Sequence, residues 1–242
     1  MIIDFHTVVH PYEMRALRYD VDAFVGALDE YGIARAVIGA PFYYVTDYKL
    51  ANAKVLCWMK RYPDRLIGFA TINPLFAEEA FEELARCLDA GMMGLGEYHA
   101  DLMDMPYDAP LSLKLLDKAV ALKIPVLFHT GAKSLPGACR VAELFPEGKF
   151  VFAHIGDDKW RELLPFIAPH RHVSLCTSGT IFETGYFSET LKQVGEDRLI
   201  YGSDFVYIDP AIFIGMITNA SIPGHVKEKI FWKNAARLLE MK

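Results

Sequence analysis

Pro125-Val126-Leu127-Phe128-His129 and Phe150-Val151-Phe152-Ala153-His154 run apolar at successive positions until each closes on a histidine. A strand with one wet face alternates apolar and polar residues. A strand apolar on both faces belongs to a parallel sheet covered by helices. Ala36-Val37-Ile38 repeats the pattern nearer the start. Working outward, the sequence predicts strands at Ile2–Val8, Ala34–Ala40, Leu66–Ile72, Met92–Tyr98, Pro125–His129, Phe150–His154, Val173–Thr177 and Leu199–Ser203. Segments of helical period lie between them. Phe24, Leu28 and Tyr31 share one face, with Gly32 as a stop. Ala77, Ala80, Phe81, Leu84 and Leu88 form a second stripe closed by Gly91, and Leu115, Leu116, Ala119 and Leu122 form a third. Val226, Ile230, Ala235 and Leu238 lie on the last helix, expected to close the ring. Eight strand-then-helix units in 242 residues, with no repeat or linker, predict an α/β fold: one (β/α)8 TIM barrel spanning residues 1–242 as a single domain. An open doubly wound sheet would normally carry a glycine-rich phosphate turn. Gly94-Leu95-Gly96 lacks the third glycine of that motif.

Composition excludes several function classes. Apolar residues make up 52% and charged residues 23%, as in a soluble globule with a large core. The net charge of −6 and the lack of a basic run give no footprint for nucleic acid or for an anionic membrane. No apolar stretch reaches the roughly 18 residues of a membrane span. The start, Met1-Ile2-Ile3-Asp4-Phe5-His6, has no basic segment ahead of an apolar one. Cys57, Cys87, Cys139 and Cys176 are scattered, with no CxxC pair, which argues against a zinc ribbon or a disulfide scaffold. The expectation is a cytoplasmic protein acting on a small molecule. Its oligomeric state is not legible.

In a barrel of this kind the active site lies at the C-terminal ends of the strands. The first predicted strand carries Asp4-Phe5-His6, with His10 just beyond, and the fourth runs into Glu97-Tyr98-His99. His129, His154 and Asp204 close the fifth, sixth and eighth. Imidazoles and carboxylates from five strands thus converge on one mouth, the donor mixture for Zn²⁺ or a similar ion. A lone histidine is more often a solvated or hydrogen-bonded residue than a ligand, and His170, His172 and His225 are read that way. Cys176 reads as a small buried apolar residue, and Tyr43, Tyr44 and Trp160 as packing residues with a pocket-lining alternative. No GxSxG elbow and no HExxH occurs.

The ordered series Asp4-Phe5-His6, Gly68-Phe69-Ala70-Thr71-Ile72-Asn73-Pro74, Pro125–Gly131, Phe152-Ala153-His154-Ile155-Gly156, Tyr201-Gly202-Ser203-Asp204 and Asn234-Ala235-Ala236-Arg237-Leu238 resembles the amidohydrolase-related proteins. These are the amidohydrolase superfamily of metal-dependent TIM-barrel hydrolases. The resemblance implies that His6 and His129 ligate a divalent metal, and that Asp204 ligates it or takes a proton from water. It implies that His154 polarises the reacting group. The reaction implied is hydrolysis of an amide, ester or lactone, or in some relatives a non-oxidative decarboxylation.

One position departs from that pattern. The family opens with His-x-His, and here the second place is Val8, which cannot ligate. Glu97 is expected to supply the missing ligand, because a stray charge inside an apolar strand is costly. His10 or His99 could instead come in from a loop toward metal or substrate, or the site could have lost its metal. The expectation is a zinc-type hydrolase of a small polar metabolite. The alternatives are a decarboxylase and a metal-free binding barrel. No arginine stands at a clear strand end as a carboxylate clamp.

Overall fold

The structure, a computed structural model, describes residues 1–9, 20–40, 46–99 and 101–241. Eight parallel strands lie in the order of the chain: β1 (Ile3–Val8), β2 (Arg35–Gly39), β3 (Leu66–Ala70), β4 (Gly94–Tyr98), β5 (Pro125–His129), β6 (Lys149–Ala153), β7 (Val173–Cys176) and β8 (Leu199–Ile200). The last edge meets the first. Phe5 N–H donates to Tyr201 O at 3.0 Å, Asp204 N–H to His6 O at 2.8 Å, and Val8 N–H to Phe205 O at 2.6 Å. The chain folds as the expected (β/α)8 barrel.

Helices α1 (Val21–Glu30), α2 (Tyr48–Arg61), α3 (Glu78–Asp89), α4 (Pro110–Ala121), α5 (Leu135–Leu144), α6 (Trp160–Ile167), α7 (Tyr186–Val194) and α8 (Pro210–Asn219) alternate with the strands. Asp20 caps α1 by accepting from Ala23 N–H at 2.8 Å, and Gly32 follows the helix at φ +66°. Both ends of that helix therefore have local causes. The final helical segment is not the uniform helix expected. It comprises α9 (Gly224–Glu228), a π turn over Lys229–Lys233, and α10 (Asn234–Leu238). The turn places Ile230 O within reach of Tyr201 N–H at 2.8 Å.

Two apolar cores follow from strands buried on both faces. Phe24, Leu84, Leu95, Leu116, Phe128, Phe152 and Leu164 belong to the layer between strands and helices. Ile3, Phe5, Val37, Ile67, Phe69, Leu127, Val151 and Ile200 form a second core, joined by Ala235 and Leu239. Burying each large side chain contributes roughly 1.5–3 kcal/mol, offset in large part by lost chain entropy. Trp160 is buried edge-on to Tyr186 with ring centroids 5.0 Å apart, so it packs. Tyr43 and Tyr44 lie outside the described residues.

Three local expectations are corrected. Strand β8 stops at Ile200 rather than Ser203, because Ser203 N–H turns to the Asp4 carboxylate (3.0 Å) instead of a ladder partner. His154 lies just past β6 with φ +66°, off the strand. His172 is half-buried, its ring 5.9 Å from Phe150 and its Nε2 shielded from solvent, whereas His225 is exposed as expected.

Candidate metal centre at the barrel mouth

Two strands break register inside the barrel wall. The β1–β2 ladder shifts between Asp4 and Thr7, and the β4–β5 ladder between Leu95 and Tyr98. Such irregularities leave a residue unpaired and re-aim side chains. His6 lies inside the first interval and Glu97 inside the second. Gly96, at φ +130°, permits the second: a Cβ there would stand 2.4 Å from Leu127 O.

Four imidazoles meet the Glu97 carboxylate. Oε1 lies 3.0 Å from His129 Nδ1 and 3.0 Å from His154 Nε2. Oε2 lies 2.9 Å from His99 Nε2 and 3.3 Å from His6 Nε2. Asp204 Oδ1 is 3.7 Å from His6 Nε2 on the other side. The structure thus brings together His6, Glu97, His99, His129, His154 and Asp204, whereas His10 lies outside the described residues.

Supporting groups fix these side chains. His6 Nδ1 and Ser178 Oγ are 2.8 Å apart, and Ser178 Oγ also donates to Cys176 Sγ at 3.4 Å. Cys176 is fully buried below the site, in keeping with a packing role. The buried Asp4 carboxylate accepts from Ser203 Oγ (2.5 Å), Ser203 N–H (3.0 Å) and His6 N–H (3.2 Å), tying the end of β8 to β1. The Tyr107 hydroxyl lies 2.7 Å from Tyr98 O and 2.6 Å from His129 O, bracing the strand ends that carry Glu97 and His129. Composition and spacing single out neither Ser178 nor Tyr107. Each acts through a contact distant in sequence.

Burial disfavours charge throughout this cluster, and the neighbours decide how far. Desolvation acts to raise the Glu97 pKa, but His6, His99 and His129 together hold it well below the usual carboxylate range. Desolvation acts to lower His6, yet the Glu97 and Asp204 carboxylates carry it well above an ordinary imidazole. His129 is raised against its own burial by the Glu97 contact, whereas burial dominates at His99 and lowers it. Desolvation raises Asp204 and pushes Asp4 up to about 7.

The donor set fits a divalent ion. His6 Nε2 is buried without a hydrogen-bond partner and aims at two carboxylates. Imidazole nitrogens and carboxylate oxygens are the donors that Zn²⁺ and Mn²⁺ accept. The donor atoms of His6, Glu97 and His154 all lie within 4.8 Å of one another. Above them opens a cavity of about 200 Å³ lined by Glu97, His99, His129, His154, Asp157 and Asp204, with Thr180 and Tyr207 also at its wall. Thr180 Oγ1 donates to Asp157 Oδ1 at 3.3 Å. A second void of about 10 Å³ sits beside Val8, walled also by His6, Gly39, Gly96 and Glu97. Its size is at the lower limit for a single water.

A (β/α)8 barrel with a histidine–carboxylate centre at the C-terminal ends of its strands is the class that fold and site define. The amidohydrolase family model matches residues 6–241, and the chain belongs to that family. None of the curated proteins matches the chain in sequence. Among solved structures, 2,6-dihydroxybenzoate decarboxylase from Rhizobium aligns at 17% identity and a TM-score of 0.80, covering 99% of this chain and 98% of that one. A dihydroxybenzoic acid decarboxylase from Polaromonas sp. JS666, with bound manganese and the inhibitor 2-nitroresorcinol, aligns at 18% and 0.79, covering 99% and 97%. A probable 2-pyrone-4,6-dicarboxylic acid hydrolase from Acinetobacter baumannii, with citric acid bound, aligns at 20% and 0.77, covering 99% of both chains. At these identities the likeness establishes the fold. No helix among the described residues is long and apolar enough to cross a membrane.

Proposed function

We propose that this barrel is a metal-dependent hydrolase of a small polar molecule bearing an amide, ester or lactone. The observation that carries the reading is the convergence of four imidazoles on one part-buried carboxylate, with Asp204 beside them at the same cavity. His6, Glu97, His129 and His154 would hold the ion, with Asp204 as a further donor. When bound, a divalent ion polarises a carbonyl and acidifies water.

The chain's own residues do the rest. Asp204 accepts the proton of the attacking water, and its burial-raised pKa makes it a better base than an exposed carboxylate. His154, whose Nε2 faces Glu97 Oε1, would act as a ligand and help fix the ion that polarises the reacting carbonyl. Glu97 orients the imidazoles, and Ser178 sets the His6 ring through Nδ1. Asp157 and Thr180 at the cavity wall are placed to meet the substrate. A cavity of about 200 Å³ is smaller than the roughly 300–1,000 Å³ of pockets for drug-sized ligands. Its described lining carries three carboxylates and no Lys or Arg, which suits a neutral or cationic substrate.

Decarboxylation is the second reading, favoured by the decarboxylases among the structural neighbours. Zn²⁺- or Mn²⁺-loaded protein should be assayed against a panel of amides, esters and lactones, and against hydroxybenzoates with CO₂ release as the readout. Hydrolysis that is lost on chelation and in Asp204→Asn supports the first reading. CO₂ release without hydrolysis replaces it with the second.

A further inference from the structure

At the end of the barrel away from the mouth, a cavity of about 560 Å³ opens between the starts of β2, β3 and β4 and the last turns of α2. Leu56, Met59, Leu66 and Met93 give it apolar walls, and Arg35 and Lys60 are its two charged groups. Its described lining holds no Asp or Glu. The neighbouring cations are paired: Arg61 meets Asp22, and Arg65 meets Asp29. Arg35 and Lys60 form no ion pair with a described residue. Arg35 opens β2, and its Nε is shielded from solvent without a hydrogen-bond partner. A guanidinium donor left without an acceptor is costly. Met93 is 38% exposed although apolar, and nothing stands within 4 Å of where a Cβ on Gly91 would lie, so this wall is open.

We propose that this cavity binds a small organic carboxylate with an apolar body, its acid group paired with Arg35 and Lys60. The volume of about 560 Å³ falls in the roughly 300–1,000 Å³ of small-molecule sites, and the lining has their composition, apolar with a few polar groups. An arginine fork receives a carboxylate in two parallel bonds, and a lysine adds a point charge. The apolar walls favour a hydrocarbon or aromatic body over a fully hydrated anion such as phosphate. The strand ends that carry the metal-site residues lie at the opposite end of the barrel, so binding here does not depend on the metal reading above. The competing account is a packing gap rimmed by two solvated cations.

Full-length protein carrying methyl-labelled methionine should be titrated by nuclear magnetic resonance with hexanoate, and with hexanol and inorganic phosphate as controls. The methionines report on place. Met59 and Met93 line this cavity, whereas Met105 and Met216 line two others. The expected result is saturable movement of the Met59 and Met93 signals with hexanoate, with Met105 and Met216 unmoved. Hexanol and phosphate should bind about tenfold more weakly or worse. Arg35→Gln should weaken hexanoate binding about tenfold or more, as for loss of a charged hydrogen bond. Lys60 stands exposed in the last turn of α2, so Lys60→Gln should fold normally and also weaken binding. It decides the matter if Arg35→Gln does not fold. Hexanol or phosphate binding as tightly as hexanoate overturns the proposal. So does hexanoate that leaves Met59 and Met93 unmoved, or undiminished affinity in either folded variant.

Discussion

Gly179→Ala is a small change with a large expected effect. Gly179 follows Ser178 past the end of β7 with φ +121°, a backbone conformation that residues with side chains rarely adopt. A Cβ there would lie 2.9 Å from His154 Nδ1, 3.1 Å from His154 Cα and 3.2 Å from His154 Cβ. Two of the three blocking atoms are Cα and Cβ, so a rotamer change cannot relieve the clash. His154 is itself at φ +66° and cannot easily retreat. The backbone strain costs about 1–3 kcal/mol, and the overpacking about 1–3 kcal/mol. Together they predict a loss of roughly 2–6 kcal/mol, which for a domain of this size lowers Tm by at least about 4 °C. The imidazole must also move by roughly half an ångström to restore ordinary contact, near the tolerance of a functional site. The 3.0 Å contact between His154 Nε2 and Glu97 Oε1 then lengthens, and affinity for metal should fall about 10–100-fold, as when a supporting contact is lost. Differential scanning fluorimetry and Zn²⁺ titration measure the two effects. Gly26→Ala is the control: Gly26 lies inside α1 with nothing within 4 Å of the new methyl, so the same substitution should stabilise by about 0.4–1 kcal/mol. Gly179→Ala melting within about 2 °C of wild type, with unchanged metal affinity, would refute the reasoning.

Asp204→Asn should cut turnover by about 10²-fold or more, as expected for loss of a proton acceptor, while leaving the melting temperature nearly unchanged. Retained kcat would remove Asp204 from the mechanism. Val8→His should tighten Zn²⁺ binding at some cost in stability, roughly 1–3 kcal/mol, because the void of about 10 Å³ beside Val8 is far smaller than an imidazole. Equal or weaker affinity in a folded variant would mean that the position beside His6 is already supplied. A pH test lies away from the site. Glu83 is desolvated, but bonds from Arg86, Asn52 and Cys87 outweigh burial and hold its pKa below the ordinary 4.5. A folded value below the unfolded one gives stability that is present above about pH 4.5 and lost as pH falls through the folded value. Melts across that range should show a steeper acid loss for wild type than for Glu83→Gln, and parallel curves would contradict the assignment.

Much of the architecture was legible because the strands are buried on both faces. Pro125–His129 carries its apolar run and its terminal histidine into β5 unchanged. His6, Glu97, His129, His154 and Asp204 could be anticipated as one group because the barrel rule places all strand ends at one mouth. The details that make the group a centre were not legible. The register shifts around His6 and Glu97 depend on how β1 meets β2 and how β4 meets β5, and strand periodicity carries no trace of them. The φ values of His154 and Asp204 arise from closures between distant segments, such as Asp204 N–H on His6 O. The shortening of β8 has the same origin, since Ser203 is drawn to Asp4 across 199 positions of sequence. His99 was expected near substrate, and its place against Glu97 and His129 required the fold.

The central claim is that Glu97 and the imidazoles around it hold metal. Anomalous diffraction from crystals grown with Zn²⁺, recorded on both sides of the zinc edge, tests it most directly. The account predicts an edge-dependent peak at the barrel mouth, about 2.0–2.2 Å from a Glu97 oxygen and from nitrogens of His6 or His129 and of His154. Absence of a peak at the mouth, or a peak there with Glu97 out of reach, would contradict it.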